Sequence, residues 1–263
     1  MPFPKVSRVL YKKNPIDQVV CQLRFPPILR IDAEIPVAFH ETIRTDFPNF
    51  EEQSEVKIEQ PADIEGQIPK EILQKVIQTV NKNYTFSSED GNWKVNLTRT
   101  FIALTSNSYQ QWEQFEEKLA IPFDAIVEIY SPLHFSRVGL RYVDIIRRSL
   151  LGLSEVPWGE LLTPPIAGLL SSADLQSDVR NFDSRYELQL EDGQSIVRLI
   201  TKLVEMREDG ESAYVIDSDF FKSGRTEIKD VNQLLSDYHN CASSLIQWCI
   251  SERLHDAMEP KKL

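Results

Sequence analysis

The sequence predicts an α+β fold in which antiparallel sheet is packed by long helices. Segments with alternating apolar residues end at the turns Glu89-Asp90-Gly91 and Glu191-Asp192-Gly193, a pattern typical of antiparallel hairpins. Two other segments, Ile35 to Phe47 and Asp230 to Ala257, have apolar residues spaced near the helical period. Pairs of segments also match each other within the chain, which indicates two copies of one unit.

The first part of the chain predicts a strand, a helix and a second strand. Ile16 to Phe25 is apolar and β-branched, so a strand is expected there. Ile35 to Phe47 has an apolar residue at every fourth position, so a helix is expected. Val56 to Ile58 predicts a short strand, 61–69 a loop, and 71–80 is ambiguous between helix and strand.

The middle of the chain predicts three antiparallel strands followed by a helix. The alternation from Tyr84 to Leu104 predicts the strands, and the aromatic spacing from Tyr109 to Leu119 predicts the helix. Ile126 to Ile146 is rich in β-branched residues, so strand structure with a break near Pro132 is expected.

The last part predicts short helices, more strands and a terminal helix. Trp158 to Leu170 is expected to hold one or two short helices. A hairpin is expected at Tyr186 to Val204, followed by a strand at Ala213 to Ile216. Asp230 is expected to cap a single helix through Ala257, about 40 Å long at 1.5 Å per residue.

An internal repeat is predicted from two matches. Leu23-Arg24-Phe25 resembles Leu140-Arg141-Tyr142, and in each case two variable positions, two aliphatic residues and an arginine follow, Arg30 and Arg147. The two hairpins correspond as well. We therefore predict diverged units at 1–130 and 131–263, each with the order strand, helix, strands, helix, related by a pseudo-two-fold axis. The alternative is that amphipathic strands resemble one another by composition alone.

Charge and composition narrow the classes of partner. The chain has 40 acidic and 29 basic side chains and a net charge of -11, which disfavours non-specific binding to nucleic acid. The same charge suits a basic protein partner. No run of 18 apolar residues occurs, so no membrane span is expected.

The cysteines predict a reducing environment. Cys21, Cys241 and Cys249 are odd in number and lack paired spacing, so a disulfide framework is not expected. The first residues also lack the apolar run of a signal peptide. A cytoplasmic location is the resulting expectation.

Sequence motifs assign no catalytic residue, no metal site and no cofactor. Phosphate-binding loops, His-Glu-x-x-His, Cys-x-x-Cys and Gly-x-Ser-x-Gly are all absent from the sequence. Arginines are the more informative residues, because a cluster of them binds phosphate or carboxylate in bidentate fashion. The candidate ligand-binding residues are Arg24, Arg137, Arg141, Arg147 and Trp158.

The arginines and the tryptophan are candidates for different reasons. Arg137 and Arg141 lie four apart on a strand and therefore project from one face. Trp158 lies in the irregular segment from Ser149 to Asp183, and such segments often carry recognition. The alternative for the arginines is ion pairing with Asp144 or other nearby carboxylates.

Several motifs resemble those of a known family. Tyr11-x-x-Asn14-Pro15-Ile16, Arg137-Val138-Gly139-Leu140-Arg141-Tyr142 and the end from His239 to Met258 resemble a sporadically distributed bacterial family of uncharacterised proteins. The resemblance covers nearly the whole chain. It implies an accessory gene, such as one in a defence or toxin–antitoxin locus, and it carries over no catalytic residue.

Two functions follow as expectations. The first is a non-enzymatic interaction module with a protein partner. The alternative is a protein, enzymatic or not, that binds a small anionic ligand or nucleotide through the arginines.

Overall fold

The computed structural model describes residues 3, 4, 6–58 and 78–262. Eleven strands are found in this part of the chain: β1 (Val9–Tyr11), β2 (Ile16–Arg24), β3 (Asn49–Ile58), β4 (Gln78–Ser87), β5 (Trp93–Thr98), β6 (Phe101–Ser106), β7 (Phe135–Ile146), β8 (Asp183–Gln189), β9 (Ser195–Glu205), β10 (Ser212–Thr226) and β11 (Pro260–Lys262). Nine form one antiparallel sheet in the order β3-β4-β5-β6-β2-β7-β10-β9-β8, and β1 pairs with β11.

The described residues also form seven α-helices: α1 (Arg30–Ala33), α2 (Val37–Ile43), α3 (Trp112–Tyr130), α4 (Trp158–Leu161), α5 (Pro164–Ala167), α6 (Val231–Cys249) and α7 (Glu252–Ala257). The predicted α+β class with antiparallel sheet is therefore confirmed. The loop predicted at 61–69 lies outside the described residues, as does most of the ambiguous segment 71–80. None of the described helices is both long and apolar enough to cross a bilayer.

Strand alternation gives the sheet two different faces. Val19, Cys21 and Leu23 of β2 are buried, and the residues between them are only partly buried. The two 19-residue helices, α3 and α6, pack over the buried face. Their contact includes the ring of Trp112, which stacks on His239 with centroids 4.8 Å apart and planes 7° apart. The core therefore lies between these helices and one face of the sheet.

Strands β2 and β7 lie side by side at the centre of this sheet. Their antiparallel ladder runs from Ile16 opposite Asp144 to Arg24 opposite Arg137, with a shift of register between Ile16 and Gln18. One strand comes from each of the two predicted units. The sheet is therefore continuous across the predicted boundary at residues 130 and 131.

The strand predicted at 126–130 is wrong, because these residues end helix α3. The helix continues through Pro122 and stops where Ser131 adopts the left-handed conformation, φ 47°, just before Pro132. Its β-branched residues suggested a strand, but Ile126 is fully buried on the core side of the helix. Packing against the core outweighs the weak strand preference of such residues.

The single terminal helix is also wrong, because the helix breaks between α6 and α7. Ile250 leaves the helix and bridges Leu162 in antiparallel fashion. Ser251 then caps α7, with its Oγ accepting from the Leu254 backbone N–H and donating to the Glu160 carbonyl at 2.7 Å. The expected side-chain cap from Asp230 is not formed.

The stacking of Trp112 on His239 predicts a large energetic role for this tryptophan. Trp112→Ala is expected to lower the free energy of unfolding by about 3–5 kcal/mol, because it removes a buried ring and leaves a cavity between the helices. Urea denaturation measures the change. Leu133→Ala is the control, since Leu133 is 80% exposed and should change stability by less than about 0.5 kcal/mol. Equal effects for the two variants would contradict the packing described.

Candidate functional site

Four arginines gather on the face of the sheet opposite α3 and α6, which we call the open face. They surround a depression of about 430 Å³. We call it the arginine depression, and its lining is Val20, Gln22, Arg24, Arg137, Gly139, Arg141, Arg198, Asp219, Phe221 and Ser223. Strands β2, β7, β9 and β10 supply these residues at alternate positions, so the strand period alone places them on one face.

Arg137 has the most constrained guanidinium of the four. Its Nη2 donates to both carboxylate oxygens of Asp219 at 2.8 Å, and its Nη1 donates to Gln22 Oε1 at 3.3 Å. The guanidinium carbon lies 4.8 Å from the centroid of the Phe221 ring. A Cβ at position 139 would lie 2.2 Å from Arg137 Nη1, so only glycine at Gly139 leaves room for this arrangement.

The other three arginines of the depression are held less tightly. Arg141 donates from Nε and Nη2 to Asp217 at 2.7 and 2.6 Å, which raises the pKa of its guanidinium. Arg198 donates to Glu187. Arg24 donates only from Nε, to Gln22 at 2.8 Å, within the described residues.

The two remaining sequence candidates lie outside the arginine depression. Arg147 interacts with three carboxylates of the turn before β10, those of Glu208, Asp209 and Glu211. Trp158 is buried, and its ring lies 5.5 Å from that of Tyr214. Of the five sequence candidates, the structure therefore brings together Arg24, Arg137 and Arg141 but not Arg147 and Trp158.

A second site lies on the helix side of the sheet, and we call it the inner cavity. It has a volume of about 70 Å³, which is room for about two water molecules at the density of liquid water. Its walls come from the N-terminal segment, β7, β10 and α6. The lining residues are Arg8, Val9, Leu10, Tyr11, Asn14, Ile16, Tyr109, Gln110, Tyr142, Asp144, Ile216, Ser218, His239, Ala242, Ser243, Leu245, Ile246 and Gln247.

Asp144 is the unusual residue of the inner cavity. It is only 4% exposed, and within the described residues its carboxyl group receives no hydrogen bond and forms no ion pair. Burial, with a smaller contribution from the charge of Asp217, raises the pKa of Asp144 from 3.8 to about 7. Asp144 faces away from Arg137 and Arg141, so it does not form the ion pair with them that the sequence suggested as an alternative.

Polar groups of the inner cavity also form a short chain. The Tyr142 hydroxyl is hydrogen-bonded to His239 Nδ1 at 3.0 Å, and it interacts with the Tyr109 hydroxyl. His239 Nε2 is buried and has no hydrogen-bond partner within the described residues. Burial lowers the pKa of His239 to about 4, so its ring is neutral at pH 7.

The N-terminal segment closes one side of the inner cavity. Arg8 forms a bidentate pair with Glu113, with distances of 2.5 and 2.9 Å, and this pair lowers the pKa of Glu113 to about 2. The Tyr11 hydroxyl is hydrogen-bonded to His255 Nδ1 at 2.7 Å. The pairing of β1 with β11 fixes this segment in place.

Metal and thiol chemistry find little support in the described part of the chain. It contains no group of three His, Cys, Asp or Glu side chains placed to hold a metal ion. Burial raises the pKa of Cys21 to about 12, so this residue is a thiol at pH 7.

Sequence reasoning missed Asp144 as a site residue, although a signal was present. The core-facing row of β7 is Val138, Leu140, Tyr142, Asp144 and Ile146, and all five are buried. A carboxylate at an inward position of an otherwise apolar strand indicates either a buried partner or a site. The alternation of side chains between the two faces of β7 is enough to identify this inward position.

Comparisons with known proteins add little. No protein-family model and no curated protein matches the chain. One solved structure, the crystal structure of the di-domain ARO/CYC StfQ from the steffimycin biosynthetic pathway, is similar over 63% of this chain and 72% of that chain, with 9% identity and a TM-score of 0.17. A TM-score this low supports no conclusion about this chain.

The raised pKa of Asp144 predicts a pH-dependent cost in stability. The native state holds this proton more tightly than the unfolded chain, so Asp144 destabilises the fold as pH rises from about 4 to about 7. Asp144→Asn should match the wild type at pH 4 and be more stable at pH 8, by up to about 4 kcal/mol. Urea denaturation over this range measures the difference.

The effect of His239 on the pH dependence of stability has the opposite sign to that of Asp144, and the two effects need to be distinguished. Because the pKa of His239 is lowered to about 4, its contribution destabilises the fold as pH falls from 6.5. The pH-dependent contributions of His239 and of the Arg8–Glu113 pair to stability are present in both the wild type and Asp144→Asn. The difference between wild type and Asp144→Asn therefore isolates Asp144, and a difference that does not change with pH would rule out a buried, unpaired carboxyl.

Proposed function

We propose that this chain is a binding protein that captures a small ligand bearing phosphate or carboxylate groups in the arginine depression. The observation that carries the proposal is the convergence of four guanidinium groups on one open depression of about 430 Å³. Pockets for small ligands commonly have volumes of about 300–1,000 Å³, so the size suits a small molecule.

Charge within the depression supports an anionic ligand. Its lining contains the four arginines and a single carboxylate, that of Asp219. The carboxylates of Asp217 and Glu187 pair with Arg141 and Arg198 beside this lining. Within the described residues, Arg24 is therefore the arginine whose charge no carboxylate balances, in a chain with a net charge of -11. Oxyanions pair with guanidinium groups in bidentate fashion, which favours phosphate or carboxylate over other anions.

The register of β2 and β7 supports the same reading. Arg24 and Arg137 are directly opposite each other on these strands. Like charges at such positions destabilise a sheet, and an anion between them would relieve this repulsion. The two Nη groups of Arg24 make no hydrogen bond within the described residues and remain available to a ligand.

Arg137 supplies a fixed donor in this arrangement. The carboxylate of Asp219 and the ring of Phe221 hold its guanidinium over Gly139. A donor that is already ordered loses little conformational entropy when the ligand binds. Arg141 and Arg24 are more exposed and would complete the contact.

We also propose that the chain arose from two copies of one unit, which meet at this depression. The strand order β4-β5-β6-β2 on one side corresponds to β8-β9-β10-β7 on the other, and a 19-residue helix follows both β6 and β10. The hairpins have equivalent registers, with Tyr84 opposite Leu97 and Tyr186 opposite Leu199. The ligand would then lie between β2 and β7, at the junction of the units.

Calorimetric titration with inorganic pyrophosphate and with citrate tests the binding proposal. We expect Arg24→Ala and Arg141→Ala each to weaken binding about 10-fold or more, since each loses a charge-assisted contact. Arg253→Ala is the matched control, because Arg253 pairs with Glu160 away from the depression. The proposal fails if the wild type binds neither anion, or if Arg253→Ala weakens binding as much as the other two.

Gly139→Ala gives a second test that leaves every charge in place. The added Cβ displaces the guanidinium of Arg137, so pyrophosphate binding should weaken about 10-fold. Circular dichroism checks that the fold is retained. Unchanged affinity in a folded variant would show that the position of Arg137 does not matter for binding.

A further inference from the structure

We propose that the inner cavity is a binding site for a small primary ammonium group, held by the carboxylate of Asp144 and surrounded by tyrosine rings. This site would be separate from the arginine depression. It lies on the other face of the sheet and has the opposite charge, so it does not depend on the function proposed above.

The unpaired carboxyl group of Asp144 is the first argument. A buried carboxylate without a partner is costly, and buried charges in proteins are normally paired. Asp144 lines the inner cavity, is 4% exposed, and has no hydrogen bond or ion pair within the described residues. A ligand with a positive charge and N–H donors would supply both missing interactions.

Charge balance around the inner cavity gives the second argument. The charged or titratable acid and base side chains in its lining are Arg8, Asp144 and His239. Arg8 is neutralised by the bidentate contact with Glu113. His239 is neutral because burial lowers its pKa to about 4. The negative charge of Asp144 is therefore the uncompensated one.

Aromatic rings give the third argument. Tyr11, Tyr109 and Tyr142 all line the inner cavity. Burial raises the pKa of each of these phenols, so they are uncharged at pH 7. Neutral aromatic rings attract cations through their faces, and a carboxylate among such rings is a combination that recognises ammonium ligands.

Size and ligand count select the ammonium group over other cations. A volume of about 70 Å³ admits a small head group and excludes bulky quaternary ammonium ions. Calcium and magnesium sites usually include more than one carboxylate, whereas Asp144 supplies the one carboxylate among the described lining residues, and these residues contain no group of three acidic, His or Cys side chains placed to hold a metal ion. The exposed Gln110 in the lining shows that the cavity reaches the surface.

Titration of the full chain with ethylammonium chloride at pH 8 tests this proposal. Binding should be weak, with a dissociation constant of about 1 mM, because the probe is small. Ethanol, which lacks the charge, and tetraethylammonium, which is too large, should bind at least 10-fold more weakly. Nuclear magnetic resonance of the Asp144 side-chain carboxyl carbon reports whether the probe reaches this residue.

Three variants test the role of Asp144. Asp144→Asn should weaken ethylammonium binding at least 10-fold, whereas Asp178→Asn, an exposed surface change, should leave it unaltered. Arg24→Ala, which removes a residue of the arginine depression, should also leave it unaltered. This last variant keeps the failure of one site distinct from the failure of the other.

The pH dependence of ethylammonium affinity gives a further test, because an aspartate with a purely structural role would not change it. Because Asp144 must be ionised, affinity in the wild type should fall about 10-fold per pH unit below pH 7, and the fall should be absent in Asp144→Asn. The titratable groups around Asp144 are all retained in the variant: Tyr11, Tyr109, Tyr142, His239, Arg8, Cys249 and, through the sheet, Asp217. The proposal would be overturned by any of three results: equal affinity for ethanol and ethylammonium, undiminished ethylammonium binding by Asp144→Asn, or no binding at 50 mM ethylammonium. The cavity would then hold water only.

Discussion

The antiparallel pairing of β2 with β7 is the constraint on which both candidate sites depend. Side chains alternate along a strand, so the register of this pair decides which residues of β7 meet the helices and which meet solvent. In the observed register, Arg137 and Arg141 point to the open face and Asp144 to the inner cavity. A slip of one residue would exchange these environments and bury the arginines in the core. The apolar residues Val138 and Leu140, both fully buried, hold the register in place.

The two faces treat charge in different ways because their solvent exposure differs. On the open face, the guanidinium groups of Arg137 and Arg141 pair with Asp219 and Asp217 and remain in contact with water, so each pair contributes modestly to stability. In the inner cavity, the carboxyl group of Asp144 has neither water access comparable to theirs nor a partner, and its pKa rises accordingly. The energetic cost of leaving a charge unpaired therefore falls on Asp144.

Local patterns predicted the strands, hairpins and fold class well, because alternation and Gly-containing turns act over a few residues. The long helix α3 and the break at Ile250 depend on contacts with distant residues, such as the bridge to Leu162, which no local pattern reports. The same distinction holds at the sites. Strand parity placed Arg137 and Arg141 on one face, but their partners lie on β10, some 76–82 residues away. The alternation along β7 places Asp144 on the inward face, but the sequence suggested this residue only as a possible partner of the arginines.

The segment from Arg137 to Tyr142 explains why one short motif serves both faces. Its odd positions, Arg137, Gly139 and Arg141, line the arginine depression, and its even positions face the helices. Glycine at the central odd position leaves room for a guanidinium, while Tyr142 at an even position reaches His239. Because adjacent residues project in opposite directions, each face can change its chemistry without rearranging the other. The alternation of side chains thus allows a thin sheet to carry the arginine depression on one face and the inner cavity on the other.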